Sequence, residues 1–322
     1  MSLLSRALLL CGLCALLFNL PAWPAEPVRK VLYIGIDGTR FDAIEKADTP
    51  NLDALMKEGI HSPTCLILGD RCQKNDTISG PGWSSILTGV WADKHGVHDN
   101  GFKGDHYKEY PHFFARLKEV RPDTRTASFV TWEPIHSKIT SAADVSINYE
   151  QKDHGVLDYD RYDTQATDEA VKQLTEGNPD ALFLYIGQVD VAGHAHGFHP
   201  TVPQYVEAIE RADKLVGRAV AAVKARKSYI DEDWLVIVTS DHGGKGTGHG
   251  GGHTTPEILN SFLILSGPSA QRGTFAEQVY LVDAPVTALA HLGVRVKDEW
   301  KLDGKAVGLK AATSGRGSQT PP

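Results

Sequence analysis

Short apolar runs rich in β-branched residues recur along the chain, and runs of this length are typical of buried strands. Longer segments between them repeat apolar residues at helical spacing, most clearly from Val202 to Lys227. A second helix is predicted from Thr164 to Gly177, and a third starts after Thr49 and ends at Gly59. The predicted strands are Val31–Ile36, Ala127–Val130, Ala181–Ile186, Trp234–Thr239 and Phe262–Leu265.

The alternation of strands and helices predicts an α/β fold, a three-layer sandwich with a largely parallel central sheet flanked by helices. No linker interrupts residues 26–310, so we expect a single α/β domain over that range. In such sheets ligands bind beyond the carboxyl ends of the strands, and those ends are therefore where chemistry is expected.

The first 25 residues have the pattern of an export signal. Arg6 precedes an apolar run from Ala7 to Leu20, and small residues follow. The run is short for a transmembrane helix, although an uncleaved anchor is the alternative interpretation. We expect a signal peptide at 1–25, a periplasmic or secreted protein, and no stable membrane insertion. Residues 311–322 are rich in Ser, Thr, Gly and Pro and are expected to form a disordered tail.

Charge and cysteine content narrow the function classes. The formal net charge is −7, which argues against a broad basic surface for nucleic acid. It does not argue against a local cationic site, because bound metals are absent from this sum.

After removal of residues 1–25 only Cys65 and Cys72 remain, and in an oxidising compartment they can form a local disulfide or stay as two thiols.

Three of the predicted strands run into an acid. Asp37 follows the first strand, Asp190 follows the strand that starts at Ala181, and Asp241 follows the strand that starts at Trp234. One such Asp is ordinarily a turn former or a helix cap. Three such acids, two of them with a histidine nearby, are harder to explain in that way.

Histidines accompany two of these acids. His242 directly follows Asp241, and His194 lies four residues after Asp190. His249 and His253 lie in the glycine-rich stretch GTGHGGGHTTPE, where a tight loop could bring ligands together. Asp and His together are suitable zinc ligands at neutral pH. The alternative is a loosely structured metal-binding surface.

Ser79 stands just before a predicted helix that continues to Gly89. A hydroxyl in this place is most often an N-cap. A helix N-terminus also favours an anion, and a serine beside a metal can ionise and attack phosphorus. Both interpretations of Ser79 are open on these residues alone.

Together these motifs resemble the alkaline phosphatase superfamily, and within it the nucleotide pyrophosphatase/phosphodiesterase branch. Ser79 resembles the family nucleophile, and Asn100 resembles the asparagine that binds a phosphoryl oxygen. The sequence departs from the family pattern at Gly80, Gly82 and Trp83. The residues that match the family's metal ligands are Asp37, Asp190, His194, Asp241, His242 and His249, with His253 as the rival for the last position.

The resemblance implies two divalent metal ions, with zinc favoured over manganese or iron. Asp190, His194 and His249 would hold one ion. The other would be held by Asp37, Asp241, His242 and the Ser79 hydroxyl. The implied activity is hydrolysis of a small-molecule phosphodiester or pyrophosphate through a phosphoseryl intermediate on Ser79, with Asn100 on an equatorial oxygen.

Other functions on the same scaffold are a phosphomonoesterase or a phosphonate hydrolase, in which Lys245 or Arg40 would meet the phosphate. A sulfatase is disfavoured because Trp83 occupies the position where an arginine is expected. A non-catalytic protein that binds metal or a phosphorylated ligand would be expected to lack the nucleophile or a ligand, and none is missing. The natural substrate and the oligomeric state are left open.

Overall fold

A computed structural model describes residues 26–68, 76–149 and 156–311 of the chain. The predicted signal peptide, Cys72 and all but the first residue of the predicted tail lie outside these ranges. Within them, no helix combines the length and the apolar character needed to cross a bilayer.

A mixed β-sheet forms the middle layer of the described structure. Its strands are β1 Val28–Ile36, β2 Ile60–Leu66, β3 Thr126–Val130, β4 Val145–Asn148, β5 Ala181–Ile186, β6 Glu232–Thr239, β7 Asn260–Ser266, β8 Gly273–Thr274 and β9 Val279–Tyr280. They are arranged in the order β4-β3-β5-β1-β6-β7-β2-β8, and β9 pairs with β2. The first five strands in this order, β4, β3, β5, β1 and β6, are parallel to one another. β7 is antiparallel to both β6 and β2.

Helices cover both faces of the sheet, which confirms the predicted three-layer sandwich. They are α1 Phe41–Ile44, α2 Pro50–Glu58, α3 Ser79–Thr88, α4 Ala92–His95, α5 Phe113–Val120, α6 Val156–Glu176, α7 Gln188–His196, α8 Pro203–Lys224, α9 Pro256–Leu259 and α10 Asp283–His291. Because successive strand residues face opposite sides, Val31 and Tyr33 pack with α3, α5 and α10. Leu32 and Ile34 pack with α2, α6, α7 and α8.

All five predicted strands are present, and the predicted helices differ from the observed ones mainly at their ends. α6 begins eight residues before the predicted Thr164, and its added turns bury Tyr159 and Asp163 at helical spacing from Ala166. α2 ends before Gly59 as predicted, but Gly59 has extended backbone. Its small size is required because a Cβ there would lie 2.0 Å from the Leu265 carbonyl oxygen.

Three adjacent parallel strands carry the sequence-predicted acids at their carboxyl ends. β5, β1 and β6 are neighbours in the sheet, and they lead into Asp190, Asp37 and Asp241. The topology therefore brings to one edge three residues that are far apart in the chain.

Candidate metal centre

The three acids at this edge approach one another closely. Gly38 directly follows Asp37 and has a left-handed φ of 65°. A Cβ at Gly38 would lie 2.6 Å from Asp190 Oδ1, so only glycine permits this approach. The Gly38 N–H donates to Asp241 Oδ1 at 3.2 Å, which links the ends of β1 and β6.

The Nε2 atoms of three histidines point into the same cluster. His242 Nε2 lies 3.2 Å from Asp241 Oδ2 and 3.6 Å from Asp37 Oδ1. His194 Nε2 and His249 Nε2 each lie 3.4 Å from an oxygen of Asp190. The same two nitrogens are 3.0 Å apart, and the His242 and His249 rings stack at 3.7 Å.

Backbone carbonyls fix the tautomer of all three rings. The Nδ1–H groups of His194, His242 and His249 donate to the carbonyls of Thr247, Gly243 and Thr77, at 2.9, 2.8 and 3.0 Å. A neutral ring that donates from Nδ1 presents a lone pair at Nε2. This hydrogen-bond pattern is the one that holds metal-ligating histidines in place.

The acids leave unused oxygens at the centre of the cluster. Oδ1 of Asp37, Oδ1 of Asp190 and Oδ2 of Asp241 are buried without a hydrogen-bond partner. Buried polar atoms are nearly always satisfied, so three orphans together require an absent partner. Among the described residues, two sets have ligand atoms close enough for one ion: Asp37, Asp241 and His242, and Asp190, His242 and His249. The donor set therefore fits divalent metal ions.

Burial and mutual repulsion perturb the titration of the cluster. Burial raises the pKa of Asp37 to about 7, and the Asp190 carboxylate adds to this rise. Burial also raises the pKa of Asp241 well above its usual range, with Asp37 and Asp190 contributing. Burial, reinforced by His249, lowers the pKa of His242 to about 3, so this imidazole is neutral at pH 7. Negative charge concentrated in this way favours cation binding.

Ser79 lies beside this cluster, at the first position of α3. Its Oγ is 3.4 Å from His242 Nε2, and the residue at the N-cap position is Ile78. The structure thus does not support the N-cap interpretation of Ser79. Asn100 Oδ1 accepts the Gly80 N–H at 2.7 Å, which orients the amide and leaves its nitrogen as a donor. Ser79 and Asn100 both line a cleft of about 350 Å³ that also contacts Asp37, Asp190, His194 and His249.

Sequence reasoning missed the groups that orient Asp37. Trp83 Nε1–H and the Tyr185 hydroxyl both donate to Asp37 Oδ2, at 2.8 and 2.7 Å. Their hydrogen bonds leave Asp37 Oδ1 directed at His242. Trp83 lies against Gly35, where a Cβ would come within 2.2 Å of its ring. The departure from the family pattern at Trp83 was the available signal, but its partner on β1 could not be inferred.

The structure separates the two rival histidines. His249 lies in one of the two sets of close ligand atoms found among the described residues, whereas His194 and His253 belong to neither. His194 differs from His253 in that its Nε2 lies 3.4 Å from Asp190 Oδ2 and 3.0 Å from His249 Nε2. The two cations considered for a monoesterase are engaged elsewhere. The Arg40 guanidinium binds Asp42 and the carbonyls of Phe198 and Gly244, and Lys245 pairs with Glu257.

Cys65 is a buried free cysteine among the described residues, and burial raises the pKa of its thiol well above the usual value. Cys72 lies outside the described residues. The Cys65–Cys72 disulfide therefore stays a prediction.

The fold and the strand-end Asp/His cluster are those of an alkaline phosphatase-like three-layer α/β sandwich. Murine ectonucleotide pyrophosphatase/phosphodiesterase 5 superposes with a TM-score of 0.64 at 16% identity, over 83% of this chain and 96% of that one. A 2-O GAG sulfatase gives 0.67 at 12% identity, over 88% and 73%. The phosphonate monoester hydrolase of Silicibacter pomeroyi gives 0.61 at 18% identity, over 87% and 76%.

The chain belongs to the type I phosphodiesterase/nucleotide pyrophosphatase family, whose model matches residues 31–307. A pyrophosphatase/phosphodiesterase of Schizosaccharomyces pombe is 26% identical over 232 residues, 66% of this chain and 44% of that protein. Human ectonucleotide pyrophosphatase/phosphodiesterase family member 7 is 23% identical over 239 residues, 66% of this chain and 47% of that protein. The chain thus spans under half of these relatives. Membership confirms the predicted family and agrees with the expected hydrolysis of phosphoric ester bonds.

Proposed function

We propose that the protein is an exported, metal-dependent phosphodiesterase or nucleotide pyrophosphatase that works through a phosphoseryl intermediate on Ser79. The observation that carries the proposal is the convergence of three unpartnered carboxylate oxygens and three tautomer-locked Nε2 atoms beside that hydroxyl. Export rests on the pattern of residues 1–25 alone.

Two groups of residues would hold two divalent ions, with zinc fitting the Asp/His donors best and manganese or iron as the other candidates. Asp190, His194 and His249 would hold one ion, and Asp37, Asp241 and His242 the other. Because the His242 and His249 rings stack, His242 lies at the boundary of the two groups. Bound ions would supply Lewis-acid stabilisation of the attacking and leaving oxygens.

Ser79 is the nucleophile in this mechanism. Its Oγ gives up its proton to solvent water and attacks phosphorus in line, so that an O–P bond forms as the P–O bond to the leaving group breaks. The leaving oxygen takes a proton from water. A second water molecule then hydrolyses the phosphoserine, which releases the phosphorylated product and restores the Ser79 hydroxyl.

Asn100 and the start of α3 meet the charge on the equatorial oxygens. The Asn100 amide nitrogen is available because its oxygen is held by the Gly80 N–H. That same bond uses one N–H of the helix start, and Pro81 has none to offer. The negative charge on the equatorial oxygens is therefore stabilised mainly by the helix dipole and the Asn100 amide, and less by backbone N–H donors.

The cleft favours a diester over a monoester. Among the described residues that line it, none is a lysine or an arginine. A phosphomonoester is a dianion near neutral pH, and its additional charge would have no side-chain cation to meet it. The relatives support nucleotides as the substrate class: the murine structural neighbour has been solved, as an inactive variant, with AMP.

The test is hydrolysis of bis-p-nitrophenyl phosphate against p-nitrophenyl phosphate by the purified protein, before and after chelation and return of zinc. We expect faster diester cleavage that chelation abolishes and zinc restores. The matched control is Ser79→Ala, which should abolish turnover while zinc content is unchanged. Wild-type turnover in that variant would remove Ser79 from the mechanism.

Two other outcomes would change the proposal. Faster monoester cleavage would contradict the diester preference and support a phosphatase. Metal-bound protein without activity on either ester would support the binding-protein alternative. Export is tested separately, by N-terminal sequencing of the protein from its native host, with the chain expected to start near residue 26.

A further inference from the structure

Helix α7 carries two of the candidate ligands, Asp190 and His194, but it lacks a capping side chain of its own. Its N-cap residue is Gly187, and no side chain of the helix start makes a capping hydrogen bond. A Cβ at Gly187 would lie 2.7 Å from the Tyr159 ring and 3.0 Å from the Tyr185 ring. The usual Ser, Thr, Asp or Asn therefore cannot stand at this position.

A carboxylate from another helix binds the start of α7 instead. Asp163 in α6 accepts the Gly187 N–H at 3.0 Å and the Gln188 N–H at 2.8 Å. It also accepts the Thr131 hydroxyl at 2.8 Å, just beyond the end of β3. The side chain is fully buried, and none of its hydrogen-bond donors among the described residues is a lysine or an arginine. Its oxygens thus lie at the positive end of the α7 dipole.

We propose that Asp163 is a positioning residue that holds the first turn of α7 in place and thereby sets Asp190 and His194 at the metal centre. This inference rests on the proposed function, since it assumes that these two side chains bind a metal. Asp190 lies two and three residues beyond the N–H groups that Asp163 holds, in the same first turn, and His194 lies one turn further. A rotation or shift of α7 would move both ligands together.

Contacts with the sheet and with neighbouring helices hold Asp163, and the first turn of α7 that it binds, in place. Thr131 ties it to the sheet, and α6 packs against both β3 and β5. On the other side, Arg211 Nε donates to Gln188 Oε1 at 3.0 Å, which fixes the same first turn from α8. The start of α7 is therefore held by side chains from its neighbours.

The test uses zinc affinity, measured by titration of the metal-free full chain against a chromophoric chelator. In the Asp163→Ala variant we expect the affinity of one of two zinc equivalents to fall about 10- to 100-fold, the range for lost outer contacts of metal ligands. The same equivalent should be the one that His194→Ala weakens. Turnover should recover as zinc is raised, whereas a purely structural role would leave both affinities unchanged.

Asp163→Asn should restore most of the affinity. Its oxygen can accept the Gly187 and Gln188 N–H groups, and the Thr131 hydroxyl can turn to accept from its nitrogen. Asp168→Ala is the matched control on the same helix, because Asp168 is exposed and pairs with Arg218 on the surface. That control should bind both zinc equivalents as the wild type does.

If Asp163→Ala fails to fold, the double variant Asp163→Asn with Thr131→Val provides the test, since it leaves an amide nitrogen opposite a methyl group. The same selective loss is then expected. Wild-type affinity at both sites, or an equal loss at both, would overturn the inference. A wild-type protein that binds no zinc would instead overturn the proposed function, so the two failures are distinguishable.

Discussion

Charged side chains are buried at both ends of the strands of the central sheet. The amino ends and the carboxyl ends differ in how this charge is neutralised. At the amino ends of the strands, Arg226 forms a two-fold contact with Glu232, at 2.7 and 2.9 Å. Lys30 donates to Asn178 and Pro179 at 2.9 Å and pairs with Asp180 at 3.4 Å. Arg226, Glu232, Lys30 and Asp180 thus each face a partner of opposite charge from the chain itself.

At the carboxyl ends the corresponding partners are missing. Asp37, Asp190 and Asp241 are paired only with histidines among the described residues, and each keeps one oxygen without a hydrogen bond. The contrast also appears in the titration of the two edges. Although burial opposes it, the Arg226 contact lowers the pKa of Glu232 to about 2, whereas burial raises that of Asp37 to about 7.

The comparison separates structural charge from functional charge. A buried charge that is matched by its own chain supports the fold, and removing one partner leaves the other uncompensated. A cluster of buried carboxylates without a protein cation opposes folding in isolation and is compensated by bound ions. Substitutions at the carboxyl ends of the strands should therefore reduce metal binding and turnover without reducing stability. Substitutions at the amino ends should reduce stability without reducing metal binding.

The largest effect is expected from Asp241→Asn at the carboxyl ends. Loss of a metal ligand should remove several kcal/mol of transition-state stabilisation, which is about a 10³-fold loss of turnover. In chelator the variant should be at least as stable as the wild type, because a repelling charge has been removed. Turnover and thermal melts in chelator measure both. A marked loss of stability without metal would contradict this account.

Glu232→Ala at the amino ends should do the reverse. It leaves Arg226 buried without its carboxylate, which should lower the free energy of unfolding by about 3–5 kcal/mol. The zinc content and the turnover of the folded fraction should match the wild type. Denaturant unfolding measures the free energy of unfolding, elemental analysis measures the zinc content, and an activity assay measures the turnover. Unchanged stability would show that this pair is not structural.

Zinc binding should stabilise the wild type by about as much as the Glu232→Ala substitution destabilises it. At a free zinc concentration 1,000 times the dissociation constant, linkage predicts about 4 kcal/mol. For a chain of this size that corresponds to roughly 6 °C in melting temperature. Glu232→Ala should show the same increment and Asp241→Asn a smaller one. Equal increments in all three proteins would mean that zinc binds elsewhere.

The smallest effects concern pH, and the two edges should respond in different windows. Metal binding requires the ionised form of Asp37, whose pKa is raised to about 7, so zinc affinity should fall as the pH drops below 7. The Glu232 pKa is lowered from 4.5 to about 2, so its contribution to stability is present above 4.5 and is lost as the pH falls toward 2. Zinc titrations and melts across pH test each window, and a zinc affinity that does not change between pH 5 and 8 would contradict the first.

The candidate ligands were predictable because local sequence carries their signal. Asp37, Asp190 and Asp241 each follow an apolar run that reads as a strand, and parallel strand ends meet at one edge. His249 was favoured over His253 by its resemblance to the family motif alone, because the repeated glycines leave the alignment uncertain by a few residues. In the structure His249 lies against Asp190, and its Nδ1–H donates to the Thr77 carbonyl.

The residues that orient the ligands were out of reach of sequence patterns. Tyr185 looks like one more apolar position of β5, yet its hydroxyl binds Asp37 across 148 positions of the chain. Asp163 lies on the buried face of α6 between Tyr159 and Ala166, but an aspartate at such a position gives no sign of burial in the sequence. Such contacts depend on tertiary packing, which local periodicity does not encode.

The most direct test of the central claim is the metal content of the purified protein after equilibration with zinc and dialysis, measured by elemental analysis. The account predicts two zinc ions per chain in the wild type and fewer in Asp241→Asn, with Glu232→Ala retaining two. A wild-type protein that holds no zinc, or an Asp241→Asn variant with undiminished zinc content, would contradict the claim that the strand-end acids and histidines form a metal centre.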